Sequence, residues 1–314
     1  MLKERIKNNF SSLLGLVLLG ISIAAIHHEL REYNYRDIFN SLVALPPSRL
    51  YLAIGFTALG YMAMAYYDNI SFRIIRHSIN YKKVFFTGFL SAAATNNVGF
   101  AFLTGSAIRY RYYSTWGASA IAIAQVIAFE NVSFCLGLFT VTGVMFLSNP
   151  LKIPPKINLP FHDLRPLGII LLLLVAAYIV GSILNKKTLI IRGHEFRFPS
   201  VQIALTQVSL SSLDWLVASA ALYVLLPTNA SVSYLELLNI FLLAMIAAII
   251  SNAPGGLGVF ETVMLLLLEP KIPATAVMGT LLAYRCVYYF LPLGVATALM
   301  GAYEMREKVK RRSS

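Results

Sequence analysis

Four ionisable side chains, Glu130, Asp214, Glu261 and Arg285, lie inside otherwise apolar stretches. An unpaired charge at the centre of a bilayer costs roughly 2.5–3.5 kcal/mol on insertion scales, so such residues turn toward a bundle interior or a water-filled cavity. Three acids against one base leave a surplus of two acids. A cationic ligand, a proton or a further base must meet that surplus. Arg109 and Arg111, in "GSAIRYRYYSTWG", are bases able to do so. The alternative is structural: Arg285 pairs with Glu261 or Asp214, and the remaining acids take up protons. Asp68 falls at the end of an apolar run, where an ordinary interfacial role suffices.

Two apolar runs also contain helix breakers, "SAAATNNVGFAFLTG" (Ser91–Gly105) and "SNAPGGLGVFE" (Ser251–Glu261). A broken helix frees backbone groups that lipid cannot satisfy, so the break must face protein or a polar cavity. Half-helices starting after Gly99 and after Gly258 are expected to aim their first N–H groups at that cavity, where they attract anions such as phosphate. Pro254 removes a donor, while Gly255, Gly256 and Gly258 permit backbone angles or close approach that other residues resist. Asn96 and Asn252 stand in the two breaks within a shared pattern, Thr95-Asn96-x-x-Gly99 and Ser251-Asn252-x-x-Gly255, at an offset of 156 residues. The competing reading of each break is a packing kink.

These groups need apolar elements to hold them. The 314-residue chain is 58% hydrophobic and 13% charged, against roughly 25% charged in soluble domains. Uncharged runs long enough to cross a bilayer recur at Phe10–Ile26, Leu50–Tyr67, Val84–Ile108, Tyr112–Leu151 (with Glu130 inside), Pro166–Asn185, Phe198 to beyond Asp214, Leu237–Phe260 and Ile272 to beyond Arg285. About 20 residues suffice for a spanning helix, and barrel strands would be shorter and alternating. The fold class is therefore all-α, a polytopic membrane bundle forming a single transmembrane domain over 1–314. The N-terminus is read as an uncleaved first helix. Cys135 and Cys286 fall within spans and are expected to be packing residues.

Positive charge sets the topology. With Arg285 set aside, treating both breaks as re-entrant hairpins puts 18 of 25 basic residues on the cytoplasmic side, against 15 if both are straight spans. The hairpin arrangement satisfies the positive-inside tendency better. It places both termini in the cytoplasm and makes the two hairpins enter from opposite sides. Each hairpin precedes a long helix with one mid-span charge, Glu130 or Arg285. Two halves, about 50–151 and 198–303, then form an inverted repeat of the kind found in transporters.

Other chemistries find no footing. The net charge of +12 sits in loops and the tail "MREKVKRRSS" without aromatic interleaving, so it marks cytoplasmic loops, and nucleic acid is not expected as a partner. No phosphate loop, cysteine-pair motif or convergent Ser/His/Asp set is present, and neither cofactor nor metal is expected.

The segments "TGSAIRYRYYSTWG" (Thr104–Gly117), "SSLDWLVASAALYVLLP" (Ser211–Pro227), "NAPGGLGVFETVMLLLL" (Asn252–Leu268) and "LLAYRCVYYFLPL" (Leu281–Leu293) occur in that order. Together they resemble the membrane domain of the lysyl-phosphatidylglycerol synthase/flippase family, MprF-type, over about residues 50–303. Full-length members join this domain to a cytoplasmic aminoacyltransferase domain that loads an amino acid onto phosphatidylglycerol; the membrane domain moves the product to the outer leaflet, giving resistance to cationic antimicrobial peptides. The resemblance implies a lipid flippase rather than an enzyme in this chain, which lacks the aminoacyltransferase domain. It also implies a bacterial inner-membrane location, a phospholipid substrate, a homodimer, and a separately encoded aminoacyltransferase as partner. A lipid phosphate would suit Arg109, Arg285 and the half-helix ends, and a lysyl ammonium would suit Glu261 or Asp214. Two other readings stay open: an ion-coupled carrier of another phosphate-bearing lipid, and a non-transporting membrane subunit that serves a separate transferase.

Overall fold

The computed structural model describes residues 45–75, 77–97, 101–150, 163–184, 189–191, 194–196, 199–228, 230–251 and 258–313. The expected first span at Phe10–Ile26 lies outside these residues. Ten helices follow one another within them: α1 (Pro47–Ile75), α2 (Tyr81–Asn97), α3 (Ala101–Thr115), α4 (Ala120–Ser148), α5 (Arg165–Leu184), α6 (Val201–Tyr223), α7 (Tyr234–Ser251), α8 (Val259–Leu268), α9 (Ala274–Tyr284) and α10 (Leu291–Ser313). A π-helical segment, Arg285–Phe290, joins α9 to α10 without interruption. A short antiparallel ribbon, β1 (Leu189–Ile191) and β2 (His194–Phe196), lies between α5 and α6. The described residues form a helical membrane bundle, and among them six helices are long and apolar enough to cross a bilayer: α1, α4, α5, α6, α7 and the continuous Ala274–Arg306.

The remaining helices are short. α2 and α3 have 17 and 15 residues, and α8 has 10, each below the roughly 20 that a full crossing needs. α2 and α3 pack antiparallel. The Ser91 hydroxyl donates to the Gly105 carbonyl at 3.2 Å and the Tyr113 hydroxyl to the Val84 carbonyl at 3.3 Å, as a single antiparallel register requires. α7 and α8 also run antiparallel. Their open ends are tied by Lys271 Nζ to Glu236 at 2.6 Å, and Phe241 meets Phe260 with ring centroids 5.7 Å apart.

One boundary corrects the sequence reading. The run Tyr112–Leu151 is not one span: α3 ends at Thr115 and α4 starts at Ala120. Gly117 adopts φ +90°, a left-handed turn that glycine enters without a Cβ penalty. Ser119 then accepts a hydrogen bond from Ala122 N at 3.1 Å and caps α4. Ser200 caps α6 in the same way.

Small residues let the helices approach closely, as membrane interfaces favour. A Cβ on Gly137 of α4 would lie 2.5 Å from the Ser211 carbonyl carbon of α6. A polar tie reinforces this crossing, with Gln207 Nε2 donating to Ser133 Oγ at 2.9 Å and the Tyr178 hydroxyl donating to Gln207 at 2.6 Å. α1 packs on α6 through the centre of the bundle, and α5 covers α4 and α6 from outside. The exposed faces carry Ile170, Leu173, Leu174 and Leu266, the apolar surface lipid requires. Cys135 and Cys286 are exposed rather than packed inside, because each falls on the outward face of its helix.

Candidate functional site

The ionisable residues gather in two buried groups and one isolated position. The first group centres on Arg109 of α3, which is 1% exposed. Its Nε donates to Asp68 of α1 at 2.9 Å and its Nη1 to Glu130 of α4 at 3.1 Å. The Tyr113 hydroxyl adds a 2.5 Å hydrogen bond to Asp68 Oδ2. One guanidinium nitrogen, Nη2, is buried with no partner. Asp68 does more than end an apolar run: α1 continues seven residues beyond it to Ile75, and the side chain is fully buried against Arg109. Its sequence context gave no such warning, because Asp68 closes its apolar run and its partner is 41 residues away.

The second group joins Glu261 of α8 to Arg285. Arg285 Nε donates to Glu261 Oε1 at 2.9 Å, and Arg285 Nη2 donates to the same oxygen. Glu261 Oε2 accepts from Gly258 N at 2.8 Å. Gly258 has φ +80°, which makes it a turn residue as well as the start of α8. The helix end expected to attract an anion thus holds the carboxylate of its own third residue, a favourable placement beside the positive end of the dipole. Arg285 also opens the π-helical segment and lies 5.8 Å over the Tyr289 ring. Single π turns inside α-helices recur at functional sites.

Arg111 stands apart from both groups. Its Nη2 reaches Glu304 of α10 at 2.6 Å, and the Tyr112 hydroxyl shares that carboxylate.

Asp214 of α6 is the isolated acid. It is 7% exposed, and its Oδ1 is buried without a hydrogen-bond partner. No basic residue pairs with it among the described residues. The Tyr67 hydroxyl of α1 is likewise buried and makes no hydrogen bond of normal geometry; it lies beside Asp214 as a weak donor to that carboxylate. Asp214 opens on a cavity bounded by Met64, Asn96, Phe134, Trp215, Phe241 and Tyr288, with Tyr284 and Tyr289 completing the wall. Around it Tyr284 and Tyr288 stack at 5.0 Å and 17°, Tyr61 donates to the Tyr288 carbonyl at 3.0 Å, and Asn96 Nδ2 donates to the Tyr61 hydroxyl at 3.2 Å. A carboxylate among aromatic faces is chemistry suited to a cation, which interacts with the ring quadrupole as well as the charge.

Of the sequence-derived site residues, the structure brings Arg109 and Glu130 together, and Gly258, Glu261 and Arg285. It places Asn96 and Asp214 on one cavity and Arg111 elsewhere. Asn252, Gly255, Gly256 and Gly99 lie outside the described residues. Sequence reading missed Asp68, Tyr61, Tyr67, Tyr284, Tyr288 and Glu304. The tyrosine density of "YRCVYYF" was the one visible signal. Among the described residues no group of His, Cys, Asp and Glu side chains could hold a metal ion.

Similar proteins place this geometry in context. An uncharacterized protein of Synechocystis sp. is 40% identical over 313 residues, 98% of this chain and 96% of the relative. The inner membrane protein YbhN of Escherichia coli is 30% identical over 268 residues, 85% of this chain and 83% of the relative. A phosphatidylglycerol lysyltransferase of Staphylococcus haemolyticus is 25% identical over 307 residues; the match takes in 94% of this chain but 35% of that protein. The family described as the lysylphosphatidylglycerol synthase TM region matches residues 11–296. A membrane bundle with this match is tied to membrane lipid, and the chain belongs to the lysylphosphatidylglycerol synthase TM region family.

Proposed function

We propose that the chain is a membrane lipid translocase, moving phosphatidylglycerol-type or aminoacyl-phosphatidylglycerol lipids between leaflets, and that this region does not itself catalyse aminoacyl transfer. One observation carries the reading: Asp214 is a buried carboxylate with no basic partner among the described residues, facing an aromatic-walled cavity. A structural acid at such depth is ordinarily paired, so an unpaired one beside aromatic rings suits a cationic headgroup that comes and goes. The lipid phosphate would meet Arg285 or Arg109, each of which exchanges a carboxylate partner for it, while the acyl tails stay in lipid between helices.

The order of elements supports two halves that move against each other. A long helix, an antiparallel pair and a second long helix occur as α1, α2–α3, α4 and again as α6, α7–α8 and α9–α10. α2 packs on α10, and its counterpart α7 packs on α4, with α1 and α6 meeting between them. We read the two pairs as re-entrant hairpins of an inverted repeat, and relative motion of the halves as the exchange of access between leaflets. The name of the Escherichia coli relative supports an inner-membrane location, and the basic loops support cytoplasmic termini. A homodimer and a separately encoded aminoacyltransferase are the partners this reading proposes.

The test is leaflet exchange of fluorescent phosphatidylglycerol and its lysyl derivative in liposomes containing only this protein. Exchange is expected, with lysyl-lipid movement lost in Asp214→Asn while the variant still melts cooperatively. Absence of exchange of both lipids, with and without an imposed proton gradient, would favour the membrane-subunit reading.

A further inference from the structure

We infer that Asp214 is a proton-exchange site, whose carboxyl holds a proton while its cavity is closed and a headgroup ammonium when it opens, so that outward lipid passage is coupled to inward proton passage. The inference rests on the translocase reading above.

Size decides which species occupies the cavity in this conformation. It offers about 40 Å³ of room for water-sized molecules, and a single water needs roughly 10–15 Å³ measured in this way. A few waters fit there, whereas an aminoacyl glycerophosphate headgroup does not. Asp214 therefore meets neither a lipid headgroup nor a fixed base of the described residues in this conformation. A bare buried carboxylate is costly, and such a group takes up a proton instead. Sodium fits less well: the oxygens at hand are one carboxylate, the Asn96 amide oxygen and tyrosine hydroxyls, while hard cations take six or so carboxylate, carbonyl or water oxygens.

Charge accounting points the same way. The titratable groups facing Asp214 are Tyr61 and Tyr67 from α1, Glu130 from α4, and Tyr284, Tyr288 and Tyr289 from the α9–π segment. From α5 and α7 come Tyr178 and Tyr234, engaged by Gln207 and Ser219. Arg109 serves Asp68 and Glu130, and Arg285, beside Tyr284 and Tyr289, serves Glu261. Among the described residues no guanidinium pairs with Asp214, so a proton or a mobile cation must balance its charge.

The exchange balances simply. On opening, the Asp214 O–H bond breaks and the proton leaves to water on the open side. The carboxylate then accepts an N–H hydrogen bond from the headgroup ammonium. On the other side the ammonium departs and a proton returns. One proton moves against one cationic headgroup.

Two measurements on the full chain in vesicles test this. Infrared difference spectra over a pH titration should show the carbonyl stretch of a protonated acid that shifts in D₂O, vanishes in Asp214→Asn and persists in Asp163→Asn. An imposed gradient of one pH unit should hold lysyl-phosphatidylglycerol at about a tenfold excess in the leaflet facing the acidic side, because one pH unit and one tenfold ratio are equal free energies. Phosphatidylglycerol, lacking an ammonium, should show no gradient-driven excess. A spectrum unchanged in Asp214→Asn would overturn the inference. Lysyl-lipid exchange without asymmetry, or asymmetry that follows a sodium gradient, would overturn it and leave the translocase reading standing. An Asp214 band without exchange of either lipid would overturn both.

Discussion

Gly60 of α1 lies directly against Asp214 of α6: a Cβ at Gly60 would sit 3.2 Å from Asp214 Oδ1 and 3.5 Å from the Tyr288 hydroxyl. The missing side chain is what lets a carboxylate stand between α1, α6 and the π segment. Gly60→Ala should keep the fold, at a cost within the 1–3 kcal/mol typical of overpacking. It should also displace the carboxylate enough to slow lysyl-lipid exchange by roughly ten- to a hundredfold. Exchange at the original rate in folded Gly60→Ala would show that the position of Asp214 does not matter.

The Asp68–Arg109–Glu130 group makes a graded prediction. Removing one partner of a buried ion pair costs about 3–5 kcal/mol, because the other charge is left uncompensated. Arg109→Ala strands two acids and should lower the melting temperature most. Asp68→Asn comes next, since Asp68 is fully buried and also receives Tyr113. Glu130→Gln should cost least, as its side chain is 18% exposed. Thermal unfolding of the three variants in one detergent gives the ranking, and Glu130→Gln as the worst would place the centre of the group elsewhere.

Glu261 does two jobs through two oxygens, and substitutions can separate them. Glu261→Gln weakens both the Arg285 contact and the Gly258 cap; Arg285→Ala removes only the first. Both variants should fold and lose lipid exchange. The swap Glu261→Arg with Arg285→Glu restores the charge pair but leaves Gly258 N without its acceptor. It should therefore recover less stability than a purely pairwise account allows, with a shortfall near the 0.5–2 kcal/mol of a lost helix cap. Complete recovery in a denaturation cycle would reduce Glu261 to an ion-pair partner.

How far the sequence led differs between backbone and site. Apolar runs placed α5 to within a residue at each end and found the starts of α1, α6 and α7 to within three, because lipid demands uninterrupted hydrophobicity; the ends of α1 and α7 lie eight and nine residues from where those runs stop. The α3–α4 boundary was hidden, since Trp116–Ser119 is too short and too apolar to read as a loop. Mid-span charges were legible for the same reason that the spans were. Their partners were not: Arg109 meets Asp68 and Glu130 across 41 and 21 residues, and nothing local encodes those distances. The sequence left the pairing of Arg285 open between Glu261 and Asp214; the register of α8 on α9 decides for Glu261. That choice is what leaves Asp214 alone.

Sidedness follows from the α7–α8 pair. Glu236 and Lys271 join at its open end, so both should sit on the same face of the membrane. After replacing the exposed Cys135 and Cys286 by serine, a cysteine beside Lys271 should react with an impermeant maleimide added outside cells. One at Lys187 should react only after permeabilisation. Reversed labelling would reject the hairpin topology.

The close crossing of α4 and α6 supplies the last prediction. Gly137 of α4 faces the Ser211 backbone, and a Cβ there would lie 2.5 Å from both the carbonyl carbon and its oxygen. Backbone cannot swing aside as a side chain can, so α4 and α6 must separate to admit even alanine. That separation also loosens the Gln207–Ser133 bond on the same crossing and the Trp215 indole bond to the Phe134 carbonyl, which is 3.2 Å. Gly137→Ala should cost at least the 1–3 kcal/mol of core overpacking, and Gly137→Leu should prevent assembly. Gly55, with open space around its Cβ position, is the matched control, and Gly55→Ala should melt at or above the parent temperature because alanine favours helix by about 1 kcal/mol. Equal melting of the Gly137 and Gly55 alanine variants would mean that α4 and α6 do not meet as closely as this crossing requires.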